Sequence, residues 1–597
     1  MCGIAGFFST QIINKYQREM FLAIHQENAM RGPDSQAIWE NNQQNIFFSH
    51  NRLSIQDITI RGKQPMCYKH FTITYNGEIY NFKMIKEKLE CCGYHFVSES
   101  DTEVFLKAFY HWGDKAIEMF EGQFAFAIWN DLEKTLIIGR DRFGEKPLYY
   151  FLSDKEFWFS SYLPSLVRHL DKPKEIDEIS LHYFFSMQGV IPAPNTPFKK
   201  FKKLKAGHIA YIKISECNSE ISFTEYKYFD LQINHTKLLI SEEEAVDLVR
   251  DSLYKSISLC SIADTDIGVW LSGGLDSSLI TAILAQDFDR SINTFSLGFK
   301  NAYNQNGNEF KYSDYVAQKY KTKHHKFFIS SKELIENIVD CQETLNEPMM
   351  SHDLIGHYIL SKYTAKNGIK VALSGLGADE VWLGYSWYEQ FNDLKLPAYA
   401  AFKRVLFEYT HNELTRFINP IYISQDFSDT MIFKHFEKLE GENIEKAIQS
   451  DISLLMVDDP VKRADSTGMR HAVEVRTPFL NSELIKLSMS LPIHYKYSKH
   501  IGKYVMKKIA ERYFSNSFIH REKGYFPVPE IKYTLDSVKA LCFQVLTSEK
   551  CKTRGIYNNQ FIWDLLMQEP KISHIGGNLL WQLTCFELWL QQFDVKT

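Results

Sequence analysis

The chain has 597 residues, a formal net charge of -5, 45% apolar and 14% aromatic content. That length exceeds what one hydrophobic core organises and predicts two to four globular domains, while the charge excludes a general basic footprint for nucleic acid or anionic membrane; the local patch from Lys199 to Lys205 reads as a solvated loop. No run of about 18 or more uncharged apolar residues occurs, and MCGIAGFFST lacks a basic segment ahead of a short apolar core, so neither a membrane span nor a signal peptide is predicted and the cytoplasm is the expected location.

Taken in chain order, the first two hundred or so residues read as short apolar or alternating strands broken by turn signals: GIAGFF, NIFFSH, FTITYNGEIY, QFAFAIWN, TLIIGR, PLYYF and EFWFSS. Helices are predicted from about Gln17 to Ala29 and from about Thr102 to Phe109, the second begun by a cap at Ser100-Asp101-Thr102. Many strands and few helices suggest stacked antiparallel sheets between helices. A last strand, HIAYIKI, precedes a polar stretch, and the periodicity changes at Ser241, which sets the expected units at 1–230, a linker at 231–240, and 241–597.

The second unit opens with a capped amphipathic helix, SEEEAVDLVRDSLYKSI, followed by the strand IGVWLSGG, a helix from about Ser277 and the strand INTFSLGF. That is a βαβ unit of a parallel sheet. The remainder, Ser330 to Thr597, is expected to be mostly helical, with one more buried strand in IKVALSG at 369–375.

Ten cysteines without a CxxC pair fit a reducing compartment rather than a disulfide framework or a zinc site, which leaves Cys2 to be explained. Once Met1 is removed, Cys2 carries a thiol and an α-amine, and an amine titrating near neutrality can act as base for its own thiol. Hydrolysis of an amide further needs a carboxylate clamp, an ammonium partner and oxyanion donors. Arg52, the Asn76-Gly77-Glu78 turn and Asp101 could supply them. Singly, each has a plainer reading: hairpin turn, helix cap, surface charge, buried thiol.

Together and in this order, MCGIAG, RGPD at 31–34, HNRLSI at 50–55, YNGEIYN at 75–81, SDTE at 100–103 and GRDRFGEKPLYY at 139–150 resemble the class II glutamine amidotransferase domain. The resemblance implies a four-layer αββα Ntn-hydrolase-type domain of antiparallel sheets. Cys2 would be the nucleophile, Asn76 and Gly77 the oxyanion donors, and Arg52, Asn76, Gly77, Glu78 and Asp101 the glutamine ligands.

SGGLDSS at 272–278 follows a strand and opens a helix, so its glycines and the helix N-terminus can surround a phosphate, although no GK[ST] makes it a Walker loop. It looks like the pyrophosphate loop of ATP pyrophosphatases. SGLGADE at 374–380 follows another buried strand, and Asp379 and Glu380 could hold magnesium against phosphates or merely cap a helix. Lys503 in HIGKYVMKK is a cation available for transition-state charge.

From Ser241 onward these segments, with DDPVKRAD at 458–465 and EVRTPFL at 474–480, resemble the synthetase domain of glutamine-hydrolysing asparagine synthetases. The resemblance covers essentially the whole chain and implies a parallel-sheet α/β adenylating domain with a largely helical extension. It implies that Leu271, Leu297, Ser374 and Gly375 contact the adenosine part of ATP. Ser272, Gly273, Gly274, Leu275, Asp276, Ser277 and Ser278 would hold pyrophosphate, Asp276 and Asp379 Mg2+, and Lys503 would be the catalytic lysine. Its partners would be small molecules, namely glutamine, ATP and a carboxylate acceptor, without nucleic acid or membrane, and a homodimer is the assembly to consider.

The family typically has glutamate where this chain has Leu376, which puts aspartate as acceptor in question; Tyr162 and Asn481 also depart from the usual pattern, in positions that look structural. EPMMSHDLIGHYILS at 347–361, GADEVWLGYSWY at 377–388, VDDPVKRAD at 457–465 and KGYFPVPEIKY at 523–533 are similar to N-acetylglutaminylglutamine amidotransferase. That resemblance offers a dipeptide carboxylate as the alternative acceptor.

Overall fold

The computed structural model describes residues 2–215, 219–231, 236–301, 307–393, 396–521 and 528–595. In the first two hundred or so residues, two six-stranded antiparallel sheets stack. One runs, edge to edge, Phe201–Lys203, Tyr149–Leu152, Glu156–Ser160, Cys2–Ser9, Ile46–Arg52 and Ser35–Glu40; the other Ile221–Lys227, His208–Ile214, Thr135–Arg140, Gly122–Asn130, Phe71–Ile79 and Met66–Tyr68.

The two-residue period of a strand explains the layering. Ile4 and Phe8 meet Ala125, Ala127 and Trp129 between the sheets. Ala5 and Phe7 point the other way, into a core with Phe21, Ile24 and Leu166 of the helices Lys15–Glu27 and Leu163–His169. The second sheet is covered in turn by Phe82–Cys91 and Asp101–Trp112. The result is αββα, as expected.

Further on, five parallel strands lie in the order Lys323–Ile329, Asn293–Phe299, Ile267–Trp270, Val371–Leu373, Glu474–Arg476. Helices cover both faces. Val269 and Leu271 pack with the helices Glu242–Cys260 and Leu275–Ala282, and Trp270 and Phe295 with Leu354–Lys366. The strand order reverses between Ile267–Trp270 and Val371–Leu373. Crevices at such reversals, outside the carboxyl ends of the strands, are where open α/β sheets bind ligands.

Some local expectations change. The first helix is Lys15–Glu27, fixed by a reciprocal cap between Asn14 and Gln17, and it gives way to a 3₁₀ turn at Asn28–Arg31. The second runs Asp101–Trp112 with Ser100, not Asp101 or Thr102, as its cap. Asn76-Gly77 is no turn: both lie inside the wholly buried strand Phe71–Ile79. Helix Glu242–Cys260 begins where predicted, with Ser241 and Glu244 capping each other. Beyond Ser330 there is a second buried strand, Glu474–Arg476, besides Val371–Leu373. Residues 232–235 of the expected linker and 523–527 of the KGYFP segment lie outside the described residues. No helix among the described residues is long and apolar enough to cross a membrane.

Candidate functional site

The pairing register of the first sheet sets Cys2 opposite Arg52. From the other sheet, Asn76 Oδ1 accepts a hydrogen bond of 2.9 Å from the Cys2 backbone N–H, which ties Cys2 across the sandwich. Burial pushes the Cys2 thiol up, against the opposing pull of the chain amine, the Leu53 N–H and the Arg52 guanidinium. His50, on the strand beside Cys2, is pushed down to about 3 by burial and is therefore a neutral neighbour, not a base. The α-amine that removal of Met1 would create on Cys2 is the base this leaves.

Gly77 carries φ +152°, and a Cβ there would sit 2.1 Å from the Gln123 carbonyl oxygen and 2.6 Å from Phe124 Cα. The glycine is required by the close approach of the neighbouring strand. Arg52 spends its guanidinium on the carbonyls of Thr59 at 2.8 Å, Gln56 at 3.2 Å and Asp57, pinning the loop that follows its own strand. Asp101 accepts from the Tyr75 hydroxyl and the Ile79 N–H, both at 2.9 Å. Glu78 is 4% exposed, with its Oε2 lacking a hydrogen-bond partner among the described residues. Burial first, then Asp101 and Glu474, hold its carboxyl well above the usual range. A cation placed beside Oε2 would favour the charged form and pull the carboxyl back down, which makes this buried oxygen complementary to an ammonium group. Of the five residues expected at a glutamine site, Arg52 and Asn76 adjoin Cys2, Gly77 and Glu78 continue the Asn76 strand, and Asp101 bonds Tyr75 and Ile79 of that strand.

Two contacts from the distant half of the chain reach this site, and neither was read from the sequence. Arg31 donates from Nε to the Cys2 carbonyl at 3.3 Å and, in a buried bidentate pair, from its two terminal nitrogens to Asp465 at 2.9 and 3.0 Å. Arg476, in the edge strand of the parallel sheet, bonds Glu474 and lies 3.9 Å from Glu78. Residues 31 and 465 lie 434 positions apart, and no local pattern links them.

The second cluster occupies the strand-order reversal. Ser272 Oγ accepts from the Gly274 N–H at 3.1 Å and lies 3.2 Å from Ser277 Oγ, while Gly273 adopts φ +85°, so the loop folds back on itself ahead of the helix Leu275–Ala282. Ser278 Oγ is buried without a partner among the described residues. Gly375 abuts this loop closely enough that a Cβ would lie 3.0 Å from Asp276 Cβ, and the Ser374 N–H donates to the Arg476 carbonyl at 2.9 Å.

Lys503 unites the predicted parts: its Nζ donates to Asp276 Oδ2 at 2.6 Å and lies 2.9 Å from Asp379 Oδ1. Burial opposes its charge, but the two carboxylates outweigh that and hold the ammonium above the ordinary lysine range. Its backbone is left-handed, φ +56°, a strained conformation that places a cation between two motifs. Leu271 and Leu297, in contrast, are 0% and 3% exposed and belong to the core, so only their main chains could meet a nucleotide.

Two further residues escaped sequence reasoning. A Cβ on Gly384 would lie 2.1 Å from Asp379 Oδ1 and 2.2 Å from Lys503 Cε. Arg521 donates to the Gly273 carbonyl at 2.7 Å and stacks 3.8 Å above the Tyr312 ring, bringing a cation to the phosphate loop.

Asp276 and Asp379 offer hard oxygen ligands, and no group of three or more His, Cys, Asp or Glu side chains fit for a metal occurs among the described residues. Magnesium is typically held by one or two carboxylates plus substrate phosphates, which this pair fits.

Comparison with known proteins gives two family matches. Residues 1–227 match the model of the glutamine amidotransferase domain, and residues 248–591 match that of asparagine synthase. Asparagine synthetase [glutamine-hydrolyzing] 1 of Bacillus subtilis (strain 168) is 28% identical over 99% of this chain and 96% of its own length. Asparagine synthetase [glutamine-hydrolyzing] 3 of the same organism is 27% identical over 88% of this chain and 87% of its own. Among solved structures, glutamine phosphoribosylpyrophosphate amidotransferase from B. subtilis is 17% identical, covers 51% of this chain and 67% of that chain, and has a TM-score of 0.29, too low to bear on the argument.

Proposed function

Since the chain belongs to the asparagine synthase family, whose model spans more than half of it behind a glutamine amidotransferase domain, we propose how its two sites share one amide transfer. The first unit, 1–230, releases ammonia from glutamine. The second, 241–597, activates a carboxylate with ATP and passes the ammonia to it, giving an amide, AMP and pyrophosphate.

At the first site, once removal of Met1 turns the Cys2 nitrogen beside Asn76 Oδ1 into an α-amine, the thiol gives its proton to that amine and the sulfur attacks the glutamine amide carbon. The Asn76 side-chain N–H and the Gly77 N–H face the oxyanion, ammonia leaves, and water resolves the thioester. Glu78 takes the substrate ammonium, and Arg52 and Asp101 complete the seat. At the second site Ser272 to Ser278 hold the β- and γ-phosphates, with Ser374, Gly375 and the main chains of Leu271 and Leu297 toward the adenosine. A carboxylate attacks the α-phosphorus, and Lys503 neutralises the charge that develops there. Magnesium bound by Asp276 and Asp379 would supply charge neutralisation on the phosphates.

The observation that carries this reading is the single ammonium, Lys503 Nζ, within 2.9 Å of carboxylates from both phosphate-facing motifs. Aspartate is the family's acceptor by name. A second reading, a dipeptide carboxylate such as that of N-acetylglutaminylglutamine, is favoured by Leu376, a half-buried apolar side chain packed against the core that offers no polar group to an acyl adenylate. Assembly as a homodimer is a separate proposal, tested by light scattering.

Cys2→Ala tests the division of labour. Glutamine hydrolysis should fall to background while ammonia-dependent pyrophosphate release persists. Loss of both activities in a folded variant would show the division to be wrong.

A further inference from the structure

Beside the second acidic motif lies a cavity of about 510 Å³ to which the mechanism assigns nothing. Its lining includes Glu380, Tyr385, Trp387 and Gln390, from the segment that also holds Asp379, together with Asp451 and Arg404. Resting on the adenylating reading above, we infer that this cavity seats the acceptor, and that the acceptor is a carboxylic acid with an amide-bearing tail, larger than a free amino acid.

Position is the first argument. Glu380, in the cavity wall, follows Asp379 in the chain and feels the charges of Asp379 and Lys503, so the cavity lies beside the centre where the acyl adenylate would form. Size is the second. Several hundred Å³ is the capacity of sites that enclose drug-sized ligands, and a lone aspartate would leave most of it to water.

The walls give the third argument. Trp387 stacks on Tyr385 at 3.9 Å, and Val190, Phe402, Val405, Leu455, Pro460 and Ile575 add apolar surface, which gains nothing from a small molecule that is charged throughout. Methylene and amide groups fit it.

The polar groups give the fourth. Gln390 Oε1 and Asp451 Oδ1 are buried acceptors without hydrogen-bond partners among the described residues, and buried polar atoms are normally satisfied. Tyr388 already donates to the other oxygen of Asp451. Amide N–H groups on a ligand would supply the missing donors. The exposed Arg404 offers a planar set of donors to amide carbonyls. A tail with both N–H and C=O groups engages Gln390, Asp451 and Arg404 together; aspartate, with one ammonium and two carboxylates, does not.

The test uses the full chain with Mg-ATP and ammonium, reading pyrophosphate release with N-acetylglutaminylglutamine and with aspartate. The expected result is a kcat/KM at least tenfold higher for the dipeptide. Arg404→Gln should raise the dipeptide KM about tenfold with kcat nearly unchanged, the cost of one charge-assisted hydrogen bond. Trp387→Ala should raise it similarly. The inference is overturned if aspartate is the better acceptor, or if both variants keep the wild-type dipeptide KM. If neither carboxylate supports pyrophosphate release while glutamine hydrolysis is intact, the adenylating reading itself fails, a result distinct from aspartate turnover.

Discussion

A methyl group added at Gly384 would fall 2.1 Å from Asp379 Oδ1 and 2.2 Å from Lys503 Cε, inside the contact distance of any real pair of atoms. The neighbours cannot yield cheaply, because Lys503 is anchored by its own N–H to the Trp382 carbonyl at 3.0 Å and by two carboxylates. Gly384→Ala should therefore part Lys503 from Asp379. Misplacing a catalytic group by about 1 Å costs on the order of a hundredfold, so ammonia-dependent pyrophosphate release should drop by that factor while glutamine hydrolysis continues at the wild-type rate. A variant with normal pyrophosphate release would show that the Lys503 to Asp379 contact is dispensable.

At the scale of elements, the loop after the Ile46–Arg52 strand depends on the strand's last side chain. Arg52 joins the carbonyls of Gln56, Asp57 and Thr59, and a Cβ on Gly62 would lie 2.2 Å from its Nη2, so the loop is wrapped around the guanidinium. Arg52→Ala should do two things together: raise the KM for glutamine at least tenfold and expose the loop to limited proteolysis near residues 56–62. A raised KM with wild-type protease resistance would make Arg52 a ligand only. Elements of this kind mark the limit of sequence reading. Cys2 and SGGLDSS stand out locally, by reactive chemistry and by a strand-to-helix turn, whereas Lys503 is singled out only by the family resemblance, since an isolated lysine reads as a solvated one. Asn76-Gly77 was misread as a turn because that dipeptide favours one. Here the glycine instead serves the close approach of Gln123 and Phe124 in the next strand. Glu474–Arg476 was missed as a strand because three residues carry no periodicity.

That short strand also relates the two halves of the molecule. Its Arg476 carbonyl receives the Ser374 N–H of the SGLGADE motif, while its Arg476 guanidinium holds Glu474 and approaches Glu78 on the strand beside Cys2. Glu474 and Arg476 are both 0% exposed, so removing one partner leaves the other charge buried and unpaired. Burial alone would raise the Glu474 carboxyl, but Arg476 outweighs it and holds the group at about 2, against an ordinary value of 4.5. A carboxyl depressed in the folded state stabilises the protein fully above its unfolded value and loses that contribution as pH falls through the folded one. The window here runs from about 4.5 down to about 2. The Glu474→Gln variant should therefore unfold well below wild type at pH 7 in a thermal scan, and the gap should narrow as the pH is lowered through that window. A gap that stays constant with pH would mean that the carboxylate's charge contributes nothing and only its shape matters. A gap that widens on acidification would reverse the sign of the linkage. The same variant, assayed near neutrality, should also lose glutamine hydrolysis in part, because Arg476 freed from Glu474 would be drawn toward Glu78, the acceptor proposed for the substrate ammonium.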